Sequence, residues 1–256
     1  MSGSGPREPL KVLKPQWSAP ASVRAGFTLR TGGVSLPPYA SLNLGAHVGD
    51  ATDAVRENRR RLREHLQLPS EPAWIEQVHG TEVCDLDDPS QKTPYAPADA
   101  VIARHAGRVC TVQVADCLPV LLAASDGSAI AAAHAGWRGL AAGILEATVA
   151  RMRVPASLLT AWLGPAIGPA HFEVGEEVRS AFLARDLTLQ SAFALNARGR
   201  WQCDLTYLAR HSLLALGINK VFGGEWCTYS DPARFFSYRR DGQCGRMVAL
   251  IWQTTD

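Results

Sequence analysis

The chain has 256 residues and a mass of 27.6 kDa, with 46% hydrophobic and 20% charged residues. This composition is typical of a folded globular protein and excludes a chain that is mostly disordered or fibrous. Its 26 basic and 24 acidic residues leave a net charge of +2. That charge is too small for the positive field that non-specific nucleic-acid binding needs, so we expect no nucleic-acid partner.

Signals for membranes or secretion are missing from the sequence. The apolar runs, such as residues 119–124, are far shorter than the roughly 20 residues of a spanning helix. Residues 1–16 lack the apolar core of a signal peptide. The six cysteines are scattered and form no Cys-x-x-Cys pair, which favours reduced thiols. These features predict a cytoplasmic protein without a membrane partner.

The first predicted elements follow a loose leader over residues 1–16. Residues 17–256 are expected to form a single domain, because no linker, charge block or repeat interrupts them. Asp53 is placed to cap a helix over 54–66, with Val55, Leu62 and Leu66 on its apolar face. Asn58 or Arg59 must interrupt that face, and an arginine snorkelling at the edge of the core is the expected explanation.

The pattern then changes to short β-rich runs at 109–115, 120–124 and 129–133, which predict a β-meander. Helices are predicted over 139–152 and 204–216, and Gly217 ends the second. Further strands are predicted over 158–163, 220–222 and 247–252. Because strands and helices do not alternate regularly, the order favours an α+β or layered mixed-sheet fold over a doubly wound one.

Three short segments combine metal-binding or nucleophilic side chains with residues of tight turns: 77–80 (QVHG), 115–118 (ADCL) and 134–139 (HAGWRG). Each follows or ends a predicted strand, where a rigid backbone projects side chains into a cleft. The long gaps between the segments give no local ligand spacing. If the segments converge, two imidazoles and a thiolate form a three-ligand site with one open position, as in catalytic zinc centres.

A series of motifs occurs in one order along the chain: 27–35 (FTLRTGGVS), 41–45 (SLNLG), the three segments above, 163–169 (LGPAIGP), 172–175 (FEVG) and 235–242 (FFSYRRDG). Together they resemble the laccase-domain, or "polyphenol oxidase", family from about Phe27 to Trp252. One small departure is Cys244, where many relatives carry threonine.

This resemblance implies a four-layer α/β/β/α sandwich with mixed β-sheets and a zinc site formed by His79, Cys117 and His134. It also implies purine nucleoside phosphorylase activity, in which phosphate cleaves adenosine, inosine, guanosine or methylthioadenosine to the free base and ribose-1-phosphate. Deamination of adenosine accompanies that activity in relatives. Purine nucleosides and phosphate are then the expected partners, and both a monomer and a homodimer stay open.

The family's older copper name can be tested by counting histidines. His79, Cys117 and His134 superficially suit a blue-copper centre, but a multicopper laccase needs roughly ten histidines, including those of a trinuclear cluster. This chain has seven histidines, none of them in a His-x-His pair. We therefore expect zinc, exclude four-electron laccase chemistry, and leave copper only as an adventitious occupant of the His/Cys site.

Phosphorolysis requires an anion pocket, for which arginines are suited because their planar forks bind phosphate oxygens bidentately. The candidates are Arg30, Arg59, Arg138 and Arg240. Arg138 is preferred because it lies four residues after His134, whereas Arg240 is expected to form a structural ion pair.

Other polar and aromatic residues of these motifs suit the nucleoside. Asn43 and Gln77 are candidates for hydrogen bonds to the base or ribose, and Trp137 is a candidate for stacking on a purine. Asp116 adjoins Cys117 and is a candidate acid or base, or a residue that orients a histidine.

Two alternatives to phosphorolysis stay open. A metal-free mechanism makes Cys117 a nucleophile with His134 or His79 as its base, giving amide hydrolysis. That reaction suits a second role attached to the family, peptidoglycan editing, in which misincorporated serine is removed from a UDP-MurNAc precursor. The non-enzymatic alternative is a structural zinc module or a regulatory purine-binding protein, although structural zinc usually has four ligands.

Overall fold

The computed structural model describes residues 9–91 and 95–254. The strands are β1 (Val12–Leu13), β2 (Val23–Thr28), β3 (Val83–Asp85), β4 (Ala100–Ala103), β5 (Val109–Val114), β6 (Leu118–Ala124), β7 (Ile130–Ala135), β8 (Leu159–Leu163), β9 (Glu173–Val174), β10 (Phe193–Leu195), β11 (Trp201–Cys203), β12 (Lys220–Gly223) and β13 (Met247–Gln253). The α-helices are α1 (Thr52–Leu66), α2 (Trp137–Ala142), α3 (Ile144–Met152), α4 (Glu176–Leu183), α5 (Leu205–Ala215) and α6 (Tyr238–Asp241).

Two larger sheets form the centre of the fold. One is antiparallel, with the strand order β1-β2-β13-β5, and the other is mixed, with the order β12-β8-β6-β7-β4-β3. In the mixed sheet, β12 runs parallel to β8 and β3 runs parallel to β4. A small third sheet has the order β10-β11-β9. None of the helices in the described residues is long and apolar enough to cross a membrane.

The alternation of side chains along the central strands explains the layers. In β6, Val120 and Leu122 pack in a cluster with α2, α3, α4 and α5, whereas Leu121 packs against the other sheet. On the far side of that second sheet, Leu62 of α1 packs with Leu250 of β13. The order of layers is therefore α1, the four-stranded sheet, the six-stranded sheet and α2–α5. The expected four-layer α/β/β/α sandwich is confirmed.

The predicted β-meander over 109–133 is wrong in one respect. Strands β6 and β7 form a hairpin, but β5 pairs with β13 in the other sheet. The chain changes sheet at Asp116, whose φ of 96° lies outside the ordinary range for a residue with a side chain. The sharp redirection at this residue is why the run over 109–115 does not pair with the run that follows it.

Other boundaries also differ from the predictions. Gly143, with a φ of 103°, splits the predicted helix over 139–152 into α2 and α3. Helix α1 begins at Thr52 after Ala51, and Asp53 lies in its first turn without capping it. Part of the predicted leader is ordered, because β1 pairs with β2, while residues 1–8 lie outside the described residues.

The polar residue that interrupts the apolar face of α1 is Asn58. Its side chain is fully buried, and its amide accepts a hydrogen bond from the backbone of Val34 and donates to the carbonyls of Ser41 and Asn43. Arg59 lies beside it, donates to the carbonyl of Leu44, and is half-buried rather than solvated. The helix thus anchors the loop that leads toward the candidate site.

Candidate metal centre

Three side chains that could hold a metal ion converge at one end of the β6–β7 hairpin. The ligand atoms of His79, Cys117 and His134 lie within 4.8 Å of one another. Cys117 immediately precedes β6, and His134 lies opposite Pro119 in the paired strands, so the hairpin itself brings these two residues together. His79 comes from a separate turn, and its ring contacts that of His134 edge to face with a centroid distance of 4.8 Å.

Asp99, which was not predicted from the sequence, holds this arrangement in place. Its fully buried carboxylate accepts hydrogen bonds from Nδ1 of His134 at 2.8 Å and from the backbone N–H groups of His79 at 2.9 Å and Gly80 at 2.6 Å. The carbonyl of Asp99 also accepts from the backbone N–H of His134. One residue therefore connects the histidine of the hairpin to the turn that carries the third ligand.

The tautomer of His134 follows from this contact. Because Nδ1 donates its proton to Asp99, Nε2 is the ring nitrogen left for a metal. A carboxylate on the far nitrogen of a metal-binding histidine fixes the ring and raises its basicity. The signal in the sequence was a single acidic residue directly before the wholly apolar strand Ala100–Ala103.

Backbone geometry also marks the site. Four non-glycine residues among the described ones have positive φ; two of them, Gln67 and Arg153, are helix C-caps. The other two are His79, with a φ of 61°, and Asp116, next to Cys117. Such conformations cost on the order of 1–3 kcal/mol each and concentrate at functional sites.

Gly136 packs directly against the three ligands. A Cβ atom built on it would lie 3.1 Å from Sγ of Cys117 and 3.2 Å from Cδ2 of His79. Both distances are shorter than ordinary van der Waals contact, so the absence of a side chain at this position leaves room for the ligand cluster.

The electrostatics favour a deprotonated sulfur. Burial raises the pKa of the Cys117 thiol, but the charge and hydrogen bonds of His134 and His79 outweigh burial and lower the pKa to about 6. Burial lowers the pKa of His134, but Cys117 and Asp99 outweigh it and raise the pKa to about 9. Without a metal, the pair is therefore a thiolate beside an imidazolium.

The ligands open onto a cavity of about 380 Å³. It is lined by His47, Gln77, His79, Gln113, Val114, Ala115, Cys117, His134, Tyr238 and Arg246. Of these residues, Gln77, His79, Cys117 and His134 were predicted from the sequence, whereas His47, Tyr238 and Arg246 were not. The exposed side chain of Tyr238 presents an aromatic ring, and Arg246 and His47 are basic side chains at the same opening.

Gln77 lies at the cavity, but its amide is already paired with the backbone of Gln113. It donates to that carbonyl at 2.9 Å and accepts from that N–H at 2.7 Å. Asn43 is fully buried and does not line the cavity. It accepts from the backbone N–H groups of Gly45 and Arg246 and donates to Asp50, so it positions Arg246 rather than presenting a free amide.

Arg30 also lies away from the cavity lining. Its guanidinium donates to the carbonyls of Ala40 and Pro232 and stacks on Phe236 at 4.6 Å, which joins two loops. The carboxylate of Asp116 accepts from the hydroxyl of Thr228 at 2.6 Å and from the backbone N–H of Arg239 at 2.7 Å. Both of its oxygens are thus used within the protein.

Trp137 and Arg138 border a second cavity, of about 240 Å³, rather than the one at the ligands. The guanidinium of Arg138 lies over the ring of Trp137 at 4.5 Å. The cavity of about 380 Å³ is thus lined by His79, Cys117, His134 and Gln77. Trp137 and Arg138 line the second cavity.

The residues at the first cavity fit a transition metal. Two imidazoles and a thiolate are the ligand types that zinc prefers, and a tetrahedral metal held by three residues would keep one coordination position for water or substrate. Asp99 supplies the supporting hydrogen bond that such sites use. Within residues 9–91 and 95–254, this is the one group of three or more histidines, cysteines or carboxylates arranged to hold a metal.

Comparisons with known proteins agree with the fold and the motifs. The chain is 53% identical over 241 residues to "Purine nucleoside phosphorylase PA4543" of Pseudomonas aeruginosa, which covers 94% of this chain and 97% of that protein. It is 51% identical over 244 residues to "Purine nucleoside phosphorylase YfiH" of Escherichia coli, with coverage of 94% and 98%.

A solved structure of the Neisseria meningitidis protein NMB0706 has a TM-score of 0.90 and 44% identity, covering 94% of this chain and 98% of the other. The family model described as "Multi-copper polyphenol oxidoreductase laccase" matches residues 24–254. The resemblance expected from the motifs is confirmed, and the chain belongs to the multi-copper polyphenol oxidoreductase laccase family.

Proposed function

We propose that the protein is a zinc-dependent purine nucleoside phosphorylase whose active site is the cavity at His79, Cys117 and His134. The observation that carries this proposal is the convergence of these three ligands, with an open side, on a cavity of about 380 Å³. The names of the relatives that match over nearly the whole chain support the reaction type.

Zinc held by these three residues would supply a Lewis acid that stabilises negative charge on oxygen. The protein's own contribution is positioning. Asp99 fixes the ring of His134 and the turn of His79 through buried hydrogen bonds. Asp116, with both oxygens occupied, holds Thr228 and Arg239 in place, and we assign it this positioning role next to Cys117.

The remaining lining suits a nucleoside. Tyr238 offers an exposed aromatic face for a purine, and Arg246 offers hydrogen-bond donors for its oxygen and nitrogen atoms or for the sugar. We propose adenosine, inosine, guanosine and methylthioadenosine as substrates. We propose that deamination of adenosine uses the same cavity: there water would attack C6 of the adenine ring and ammonia would leave, whereas in phosphorolysis phosphate attacks C1′ of the ribose and the base leaves.

The test is product analysis by mass spectrometry with zinc-quantified protein and adenosine, with and without phosphate. Free adenine and ribose-1-phosphate that appear only with phosphate support phosphorolysis. Inosine formed without phosphate supports the deaminase activity. If neither product forms although zinc is stoichiometric, the proposal is wrong.

One observation favours a second candidate. Cys117 with a pKa near 6 beside His134 with a pKa near 9 is the state of a cysteine nucleophile with its base. This pair supports an amidase acting on the serine-containing cell-wall precursor. A chelator separates the candidates, because amide hydrolysis by the thiolate persists after zinc is removed, whereas zinc-dependent phosphorolysis stops.

A further inference from the structure

Three arginines from distant parts of the chain meet at the second cavity, of about 240 Å³. Arg138 lies in the first turn of α2, Arg200 lies in the turn between β10 and β11, and Arg239 lies in α6. Within the described part of the chain, none of the three has a carboxylate oxygen within salt-bridge distance. Their positive charges are therefore not neutralised by direct ion pairs.

Two of these guanidinium groups are oriented by neutral partners. Arg138 lies over the ring of Trp137, and Arg239 donates to the carbonyl of Glu173 at 2.9 Å and stacks on Phe172. These contacts fix the side chains without neutralising their charge. Each guanidinium carries five N–H donors, so further donors remain for a ligand.

Two acidic residues, Glu173 and Glu177, also line the cavity. The carboxylate of Glu173 accepts hydrogen bonds from Asn196 and from Arg198, which lies outside the lining. The carboxylate of Glu177 lies against Gly175 at the start of its own helix. Three arginines and two glutamates therefore give the cavity lining a formal charge of +1.

The cavity of about 490 Å³ along α1 is also lined by arginines, but most of them are paired: Arg56 pairs with Asp53 and Arg63 pairs with Glu71. Arg59 is the exception, and its guanidinium donates to the carbonyl of Leu44 and lies over Trp74. Arg60 pairs with two glutamates of its own helix. Arginines paired in this way are typical of a solvated helix surface, not of an anion site.

The second cavity is connected to the metal centre in two places. Arg138 follows Gly136 by two residues, and Gly136 packs on the ligands. The backbone N–H of Arg239 donates to Asp116, the neighbour of Cys117. In α6, Tyr238 lines the cavity at the ligands, whereas Arg239 lines the second one. The two cavities thus share one wall.

We infer that the cavity between Arg138, Arg200 and Arg239 binds phosphate. Arginine forks match the oxygens of a phosphate dianion, and three of them from separate segments surround it better than a single basic helix. This inference rests on the proposed function, in which inorganic phosphate is the co-substrate. It locates the phosphate-binding site beside the metal centre.

The test uses inorganic phosphate and the zinc-loaded protein. Binding is measured by calorimetric titration with and without a purine nucleoside, and the KM for phosphate is measured where phosphorolysis is observed. The variants are Arg200→Gln and Arg138→Gln, both changes of exposed side chains. Arg56→Gln is the matched control, since it removes an exposed arginine from the other arginine-lined cavity.

We expect each test variant to weaken phosphate binding and to raise the KM for phosphate about tenfold, which is the loss of one charge-assisted contact. The KM for the nucleoside and all constants of Arg56→Gln stay as in the parent protein. Unchanged phosphate affinity in both test variants, an equal loss in Arg56→Gln, or no phosphate binding to the parent protein would overturn the inference.

The outcome is separable from that of the proposed function. If the parent protein binds phosphate and Arg200→Gln does not, but no ribose-1-phosphate forms, then the phosphate site is supported and the proposed phosphorolysis is wrong. If phosphorolysis occurs and the KM for phosphate is unchanged in both variants, then the proposed function is supported and the inferred phosphate site is wrong.

Discussion

The Nδ1 atom of His134 lies 2.8 Å from Oδ1 of Asp99, and both side chains are buried. The same carboxylate accepts hydrogen bonds from the turn at His79, so Asp99 positions two of the three candidate metal ligands at once. Burial raises the pKa of Asp99, but its hydrogen bonds with His134 and the backbone of Gly80 outweigh burial, and the net shift is downward. The carboxylate is therefore held in its charged, accepting form.

Asp99→Asn should lower zinc affinity about 10- to 100-fold, the usual effect of removing a supporting carboxylate. Both carboxylate oxygens of Asp99 accept hydrogen bonds, one from His134 and His79 and the other from Gly80. An amide cannot replace both acceptors, because one of its two polar atoms is a donor. Competition with a chromophoric chelator measures the affinity. Asp126→Asn, in the exposed 125–128 turn, is the matched control, and equal affinities in the two variants would contradict the role of Asp99.

Cys117→Ala should abolish both stoichiometric zinc binding and turnover while the protein stays folded. The reason is the loss of the one thiolate ligand in the cluster. Cys227→Ala is the control, because Cys227 is likewise half-buried but contacts the backbone of Gly168 instead of the cluster. Zinc analysis and circular dichroism are the measurements, and full phosphorolysis by Cys117→Ala would refute the assignment of the site.

Gly136→Ala should weaken zinc binding, because the added methyl group would lie 3.1 Å from the sulfur of Cys117. Gly80→Ala is a close control. Gly80 lies in the His79 turn, yet a Cβ atom there would approach no atom closer than 3.6 Å. We expect Gly80→Ala to retain the zinc affinity of the parent, and a similar loss in both variants would show that glycine is needed for another reason.

The reactivity of Cys117 in the metal-free protein should depend on pH with a midpoint near 6. Its pKa is lowered from an ordinary value of 9.0, so the thiolate is present above about pH 6 and is lost as the pH falls below it. Alkylation by iodoacetamide, followed by peptide mass spectrometry, measures this. Cys84, whose pKa burial raises to about 11, is the internal control and should stay unmodified at neutral pH. A midpoint near 9 for Cys117 would disprove the thiolate–imidazolium pair.

Asn43→Ala should destabilise the protein by about 2–3 kcal/mol, because it leaves the buried N–H groups of Gly45 and Arg246 without their acceptor. Urea unfolding measures the loss. The exposed Asn219 provides a matched control, for which Asn219→Ala should change stability by less than about 0.5 kcal/mol. Parent-like unfolding of Asn43→Ala would show that the network is not important for stability.

The sequence predicted the hairpin that carries Cys117 and His134, because two continuous apolar runs joined by a Ser-Asp-Gly-Ser turn have a local signature. His79 was a candidate because it lies among tight-turn residues at 77–80, and the motif resemblance then implied that it is a zinc ligand. The only sequence signal for Asp99 is its position directly before an apolar strand, and nothing local shows that its carboxylate accepts hydrogen bonds from two other segments. The partners of Arg30 and Asn43 could not be predicted either, because they are carbonyls and N–H groups of loops whose paths only the folded chain defines.

The strand that carries His134 is made almost wholly of small residues. In β7, Ala131, Ala133 and Ala135 face the helices, and Ala132 faces the other sheet. Layers on both sides can approach this strand closely because methyl groups are all that separate them. The position of the imidazole is consequently set by the thickness of the protein interior. A larger side chain in place of one of these alanines would push the layers apart and shift His134. We therefore expect core packing away from the candidate metal site to affect metal affinity.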